Sequence, residues 1–225
     1  MSQASNAPHA PRTIVITGAG SGIGRTTARL LLEQGWNVVL AGRTAQKLHE
    51  TAQGHGSALV VPTDVSDPQA VDQLFAAAAE RFGSVDVLFN NAGIFGPPAA
   101  IDELDPAQWD EVCRINLTGA INAARAAFTH FRAHGGGRII NNGSISAQVP
   151  RVNSVAYSVT KHGIAGLTKC LELDGREHRI RATQIDIGNT ASDLLDDFGA
   201  TEGALQPSGH RLVEPTFPLA EAAEA

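Results

Sequence analysis

The chain has 225 residues, 43% of them hydrophobic and 18% charged, with a net charge of −6. This length suits one ordinary hydrophobic core and requires no second domain. The acidic balance and the lack of a basic cluster argue against binding to nucleic acid or an anionic membrane, and no apolar run approaches the roughly 18 residues of a membrane-spanning helix.

Residues 1–11 are polar and contain proline, without the charged and apolar regions of a signal peptide. They are expected to form a flexible tail on a cytoplasmic protein, with residues 12–225 as a single domain. Residues 13–17 are rich in β-branched side chains and read as a strand. Helical spacing of Ile23, Ala28, Leu31 and Leu32 then predicts a helix over 22–34, which Gly35 stops. Strands follow at 37–41 and 58–61, separated by a helix over 45–53.

Asp67 and Pro68 supply a cap and a first-turn proline for a helix ending at Phe82, before a fourth strand at 85–89. Asp105 and Pro106 repeat that signal for one long helix towards residue 134. The glycines at 135–137 turn the chain into a fifth strand at 138–142. Ser154 can cap a helix reaching about residue 174, and a sixth strand spans 180–186. Continuous apolar strands alternating with helices predict an α/β, doubly wound parallel sheet covered on both faces. In such a sheet ligands bind beyond the carboxyl ends of the strands, where the segments at residues 18–24, 64, 90–93, 144 and 188 fall.

Cys113 and Cys170 have no metal-type spacing and read as free thiols, and the eight histidines form no metal-binding pair at helical spacing, so no metal site is expected. Thr17-Gly18-Ala19-Gly20-Ser21-Gly22-Ile23-Gly24 lies between a strand and a helix, where backbone amides and the positive helix end can face a pyrophosphate. Tyr157, the single tyrosine, precedes Lys161 by four residues, and Ser144 lies thirteen residues before it. Positions four apart share a helix face, so the ammonium group is placed to favour the phenolate form.

The glycine turn, Asn90-Asn91-Ala92-Gly93, Ser144 and Tyr157-Ser158-Val159-Thr160-Lys161 together resemble the short-chain dehydrogenase/reductase family over roughly residues 12–192. The resemblance implies a Rossmann-type three-layer sandwich and an NAD(P)-dependent oxidoreductase acting on a small-molecule carbonyl or alcohol. Tyr157 is then the proton donor in reduction and the base in oxidation. Lys161 also binds the nicotinamide ribose, Ser144 orients the substrate oxygen, and Asn116 matches the family's helix asparagine.

The implied cofactor contacts are Gly18, Ser21, Gly22, Ile23, Gly24, Arg43, Asp64, Val65, Asn90, Ala92, Gly93, Tyr157, Lys161, Gly188, Thr190 and Ser192. Arg43, with no acid at the end of strand two, favours NADP(H) over NAD(H). Asp64 reads equally as a turn residue, and Asn90 as a sheet-stabilising amide. A family Pro-Gly is replaced by Ile187-Gly188, and Ser192 stands where a threonine is usual.

Ile94, Phe95, Gln148, Val149, Val152 and residues 193–206 are expected around the substrate. The helices at 105–134 and 154–174, with the small residues Ala156, Gly163 and Gly166, predict a homo-oligomer, a dimer or tetramer, although the same small residues would also fit against the sheet. The sequence ends in an interrupted helix where the family continues with another helix and a seventh strand, so a shortened C-terminus and an exposed sheet edge are expected. That ending also motivates an alternative function, a nucleotide-binding regulatory or scaffold protein of little or no activity.

Overall fold

The computed structural model describes residues 11–190 and 203–225. Strands β1 (Thr13–Thr17), β2 (Asn37–Gly42), β3 (Ala58–Pro62), β4 (Val87–Asn90), β5 (Gly137–Asn142) and β6 (Ile180–Ile185) form one parallel sheet in the order β3-β2-β1-β4-β5-β6. Every residue of β1 is buried, as expected for a central strand covered on both faces. The winding reverses between β1 and β4, which opens the crevice beyond their carboxyl ends.

Helix α1 (Gly22–Glu33) packs Ala28 and Leu32 with Ile14, Ile16, Val38 and Leu40 on one side of the sheet, where α2 (Ala45–Ala52) adds Leu48. On the other side, α3 (Pro68–Phe82) and α5 (Ala120–Ala133) bury Val71, Leu74, Ala123 and Phe131 with Val15, Leu88 and Ile139. Asp67 caps α3 as expected, accepting a 2.9 Å hydrogen bond from the Gln69 amide. A helix over Val155–Gly175, α6, packs along β6, and a hairpin of β7 (Ala204–Leu205) and β8 (Arg211–Leu212) precedes the short α7 (Leu219–Glu224). Among the described residues the large sheet has six strands, with β6 at its edge.

Two local expectations differ from the structure. The single long helix predicted over 105–134 is divided: α4 (Pro106–Cys113) passes through a π-helical turn at Arg114–Gly119 before α5. Gly119 lies hard against Val65, where an added Cβ would stand 2.5 Å from Cγ2, and the Asn116 amide holds the Ile94 backbone. These contacts accompany the wider turn, a deformation frequent at functional sites. Ser154 stands at the start of α6 without capping it through its side chain; its hydroxyl instead accepts from the Arg151 amide at 3.1 Å and donates to the Arg151 carbonyl at 2.7 Å.

Candidate active site

The carboxyl ends of β1, β4, β5 and β6 surround a cavity of about 340 Å³. The glycine turn forms one wall. Gly18 has φ +67°, and a Cβ on Gly24 would stand 2.4 Å from the Gly18 carbonyl oxygen, so side chains are excluded from this crossing. Ser21 begins α1 without a side-chain cap, and no acidic residue occupies the first turn. The first amides of α1 therefore open into the cavity through Ser21, Gly22 and Ile23 with the helix's positive end uncompensated. This donor set fits the pyrophosphate of a dinucleotide.

A second wall is tied to the first by hydrogen bonds between β1 and β4. Asn91 and Ala92 donate their amides to the Thr17 hydroxyl at 2.9 and 3.0 Å, and the Asn91 side chain donates to the Thr17 carbonyl at 2.8 Å. Asn142 in turn donates to the Asn91 side-chain oxygen at 2.8 Å. These bonds hold Ala92 and Gly93 beside the glycine turn.

Ser144, Tyr157 and Lys161 all line the cavity and are buried. Burial pushes the Tyr157 phenol above its ordinary pKa, while the Ser144 hydrogen bond and the Arg151 charge pull it down. Lys161 lies one turn along α6, its Nζ 5.5 Å from the centroid of the Tyr157 ring, and donates to the Asn142 carbonyl at 2.7 Å. Burial lowers its ammonium group to about 8, against the opposing charge of Asp186. The sequence expectation that Lys161 brings the phenol down differs from the structure: burial is the largest cause and raises the phenol, and the charge that opposes it is that of Arg151. Phe95 stacks on the other partner, its ring centroid 4.7 Å from that of Tyr157.

Asn116 stands behind this group rather than on the cavity lining. Its side chain accepts from the Ile94 amide and donates to the Ile94 carbonyl, both at 2.8 Å, and donates to the Thr160 hydroxyl at 3.2 Å. The π turn thereby fixes the segment that follows β4 against α6.

The family model for short chain dehydrogenases matches residues 12–203. The chain belongs to the short-chain dehydrogenase family. It is an oxidoreductase acting on CH–OH or carbonyl groups with a nicotinamide cofactor. It is 42% identical to the cis-4-hydroxycyclohexanecarboxylate dehydrogenase of Sinomonas cyclohexanicum over 215 residues, covering 92% of this chain and 85% of that relative. An uncharacterized oxidoreductase of Staphylococcus aureus strain USA300 is 35% identical, with 91% and 86% covered. Among solved structures, the 3-ketoacyl-(acyl-carrier-protein) reductase from Brucella melitensis complexed with NADH aligns with a TM-score of 0.84 at 30% identity. Levodione reductase aligns with a TM-score of 0.84 at 28% identity, and each alignment covers 95% of this chain and 88% of the other.

Within this short-chain dehydrogenase, Gly188 and Thr190 also line the cavity, and Ser192 lies outside the described residues. Several expected contacts stand elsewhere. Arg43 is exposed and off the lining, which instead includes Lys47, one turn along α2. Asp64 joins Arg114 at 3.3 Å and Ser66 at 2.7 Å, and Val65 is buried against Gly119, so neither reaches the lining. Asn90 donates to the Ala120 carbonyl at 2.9 Å and to Asn141 at 3.1 Å, the sheet-stabilising arrangement.

Ile94 and Phe95 line the cavity as expected of a substrate wall; Gln148, Val149 and Val152 do not, and residues 193–202 of the expected loop lie outside the described residues. Sequence reasoning missed Lys47, Asn91, Asn142 and Arg151. The helical spacing of Lys47 from Arg43 and the doubled Asn90-Asn91 and Asn141-Asn142 pairs were the available signals. Among the described residues no helix is long and apolar enough to cross a membrane, and no cluster suits a metal ion.

Proposed function

We propose that this oxidoreductase is an NADP(H)-dependent carbonyl reductase or secondary-alcohol dehydrogenase in which Asn116, Ser144, Tyr157 and Lys161 serve the reaction. The observation that carries this reading is a buried phenol that lines one cavity with Ser144, with a buried ammonium group one helical turn away and with an uncapped helix N-terminus. The glycine turn, Gly188 and Thr190 would hold a nicotinamide cofactor, which when bound would supply or accept the hydride.

In reduction, Tyr157 donates its proton to the carbonyl oxygen, and in oxidation it takes the hydroxyl proton. Its elevated pKa keeps the phenol protonated at neutral pH, the form reduction needs. Ser144 positions the reacting oxygen and stabilises its developing charge. Lys161 stabilises the phenolate left after proton transfer, and Asn116 positions the Ile94 wall and α6. Phe95 confines the phenol by stacking on its ring and helps exclude water.

Preference for NADP(H) rests on charge at the carboxyl end of β2, where Arg43 and Lys47 stand and no acid follows the strand. A homo-oligomer, a dimer or tetramer, is favoured by Ile121 of α5 and by Val159 and Leu173 of α6, which are 44%, 49% and 62% exposed. Gly166 has open space before it, whereas Gly163 packs against Leu117 within the chain. The chain acts in the cytoplasm on a small carbonyl or alcohol. The relative named for a hydroxycyclohexanecarboxylate makes a ring alcohol the first substrate to try.

Absorbance at the reduced-nicotinamide band, followed with NADP(H) and NAD(H) over cyclic and open-chain alcohols and ketones, tests the reaction. Turnover that is faster with NADP(H) is expected. Binding of cofactor with no turnover across that panel would reject the enzymatic assignment of these four residues.

A further inference from the structure

Asp186 follows β6 directly and stands off the cavity lining, yet its carboxylate meets the chain at Ser144, which is on that lining. The pairing of β5 with β6 continues past the carboxyl ends of the strands: the Gly143 amide donates to the Ile185 carbonyl at 2.8 Å and the Ile145 amide to the Ile187 carbonyl at 3.3 Å. The Ser144 amide falls between these two bonds and donates to Asp186 Oδ1 at 3.1 Å. Gly143 makes the approach possible, because a Cβ there would collide with that same oxygen and with the Gln184 side chain. Ser144 is thereby held by its backbone, while its hydroxyl oxygen accepts from the Ser146 amide at 3.1 Å. A hydroxyl has one proton to give, and with its oxygen engaged from the chain side that proton is left for the cavity.

The carboxylate is itself fixed from the core. Gln184 Nε2 donates to Asp186 Oδ1 at 2.6 Å, and the Gln184 side-chain oxygen accepts at 3.2 Å from the Thr168 hydroxyl, which it shares with the Ile164 carbonyl. Thr168 accepts from the Asn141 side chain at 2.8 Å, and Asn141 accepts from Asn90 at 3.1 Å. Asn90, Asn141 and Thr168 are buried, so this line of side chains starts in the interior of β4, β5 and α6 and ends on the Ser144 amide. Each bond in it orients the next donor, and a network satisfied along its length is rigid.

We propose that Asp186 is a positioning residue for the reaction, its carboxylate holding the Ser144 backbone where the Ser144 hydroxyl reaches the reacting oxygen. This rests on the role proposed above for Ser144. The effect passes through one backbone hydrogen bond, and misplacing a reacting group by about 1 Å costs on the order of 10²-fold in rate. Asp186 is also the charge that opposes burial at Lys161, so position and charge are separated in the test.

Asp186→Asn and Asp186→Ala both remove the charge, and only the asparagine keeps an oxygen facing the Ser144 amide. With NADPH and cyclohexanone, or the fastest ketone of the panel above, kcat should be roughly 10- to 100-fold higher in Asp186→Asn than in Asp186→Ala, with KM for NADPH the same within about twofold. In a Ser144→Ala background that ratio should fall to about one, because the residue being positioned is gone. Asp186→Leu, which fills the space without offering an acceptor, should match Asp186→Ala. A ratio near one with Ser144 present, or the same ratio without it, overturns the proposal.

Hydrogen exchange of the Ser144 amide, followed by NMR on the full chain without substrate, reads the hold apart from turnover. Exchange should be about tenfold or more faster in Asp186→Ala than in Asp186→Asn, the loss of one hydrogen bond to the amide, and equal rates overturn the proposal. If Ser144→Ala alone reacts as fast as the unmodified enzyme, the role of Ser144 fails and this inference with it. If Ser144→Ala is slow while the Asn-to-Ala ratio at 186 is one, the role of Ser144 stands and this inference alone fails.

Discussion

The Lys161 ammonium group lies 5.5 Å from the centroid of the Tyr157 ring and gives a 2.7 Å hydrogen bond to the Asn142 carbonyl at the end of β5. The cation is thus anchored to the sheet, not to the helix that carries it. Its distance from the phenol is set by how α6 packs on β5 and β6, which makes the electrostatics of the pair a property of the tertiary structure.

Tyr157→Phe retains the Phe95 stacking and removes one hydroxyl. Turnover should fall by about 10²- to 10⁴-fold, the range for a positioned proton donor, while NADP(H) affinity changes by less than about threefold. Steady-state rates alongside cofactor titration check this; undiminished turnover would remove Tyr157 from the reaction.

Lys161→Met should abolish turnover and raise Tm at pH 7. The folded protein lowers this ammonium from 10.5 to about 8, so between those values the unfolded chain binds more protons and stability rises with pH. The destabilisation is full below about pH 8 and fades towards pH 10.5, on the order of 3 kcal/mol in all. The Tm advantage of the variant should therefore shrink as pH rises, and an advantage that grows with pH contradicts the assignment.

Asn116→Ala leaves the half-buried Ile94 amide and carbonyl without their side-chain partner. A loss of roughly 1–3 kcal/mol is expected from denaturant unfolding. Turnover should fall as well, because Ile94 lines the cavity.

Gly24→Ala forces a methyl group to within 2.4 Å of the Gly18 oxygen and 2.6 Å of the Asn91 side chain. Both walls of the cofactor site must separate to admit it. Cofactor affinity is expected to fall more than tenfold in fluorescence titration with the reduced cofactor, with Tm lowered; an unchanged affinity would show that the crossing of α1 with β1 does not shape the site.

Lys47→Glu and Arg43→Glu compare two cations one helical turn apart. Lys47→Glu should raise KM for NADP(H) at least tenfold and leave NAD(H) nearly unchanged, with a smaller effect from Arg43→Glu because that side chain lies off the lining. Equal changes for both cofactors would mean that the 2′-phosphate is not the group being read.

Much of this architecture was legible in the chain. The cores of β1 and β2, Ile14-Val15-Ile16 and Val38-Val39-Leu40-Ala41, are continuously apolar because central parallel strands meet helices on both faces, and the glycines at 18 and 24 mark a crossing that admits no side chains. The interval between Tyr157 and Lys161 places both on one helix face whatever surrounds them. The π turn at Arg114–Gly119 was not legible, since helical periodicity differs little across one widened turn. What accompanies it is the fit of Gly119 to Val65 and of Asn116 to Ile94, contacts across more than twenty residues of sequence.

The roles of neighbouring candidates divide in the same way. Asn90 and Asn91 are adjacent, but Asn90 ends β4 with its amide bonded inside the sheet, while Asn91, just past the strand, reaches the glycine turn. Arg43 leads α2 and Lys47 follows one turn later, and the angle at which that helix lies decides which of them borders the cavity. By itself the sequence determined the order of strands and helices, the glycine turn between β1 and α1 and the shared helix face of Tyr157 and Lys161, because periodicity and short spacings are properties of neighbours along the chain. The balance of burial against charge at Tyr157 and Lys161, and the fixing of Arg151 by Asn189 and Glu214, were decided by tertiary structure alone, because desolvation and long-range contacts exist only once distant segments are packed together.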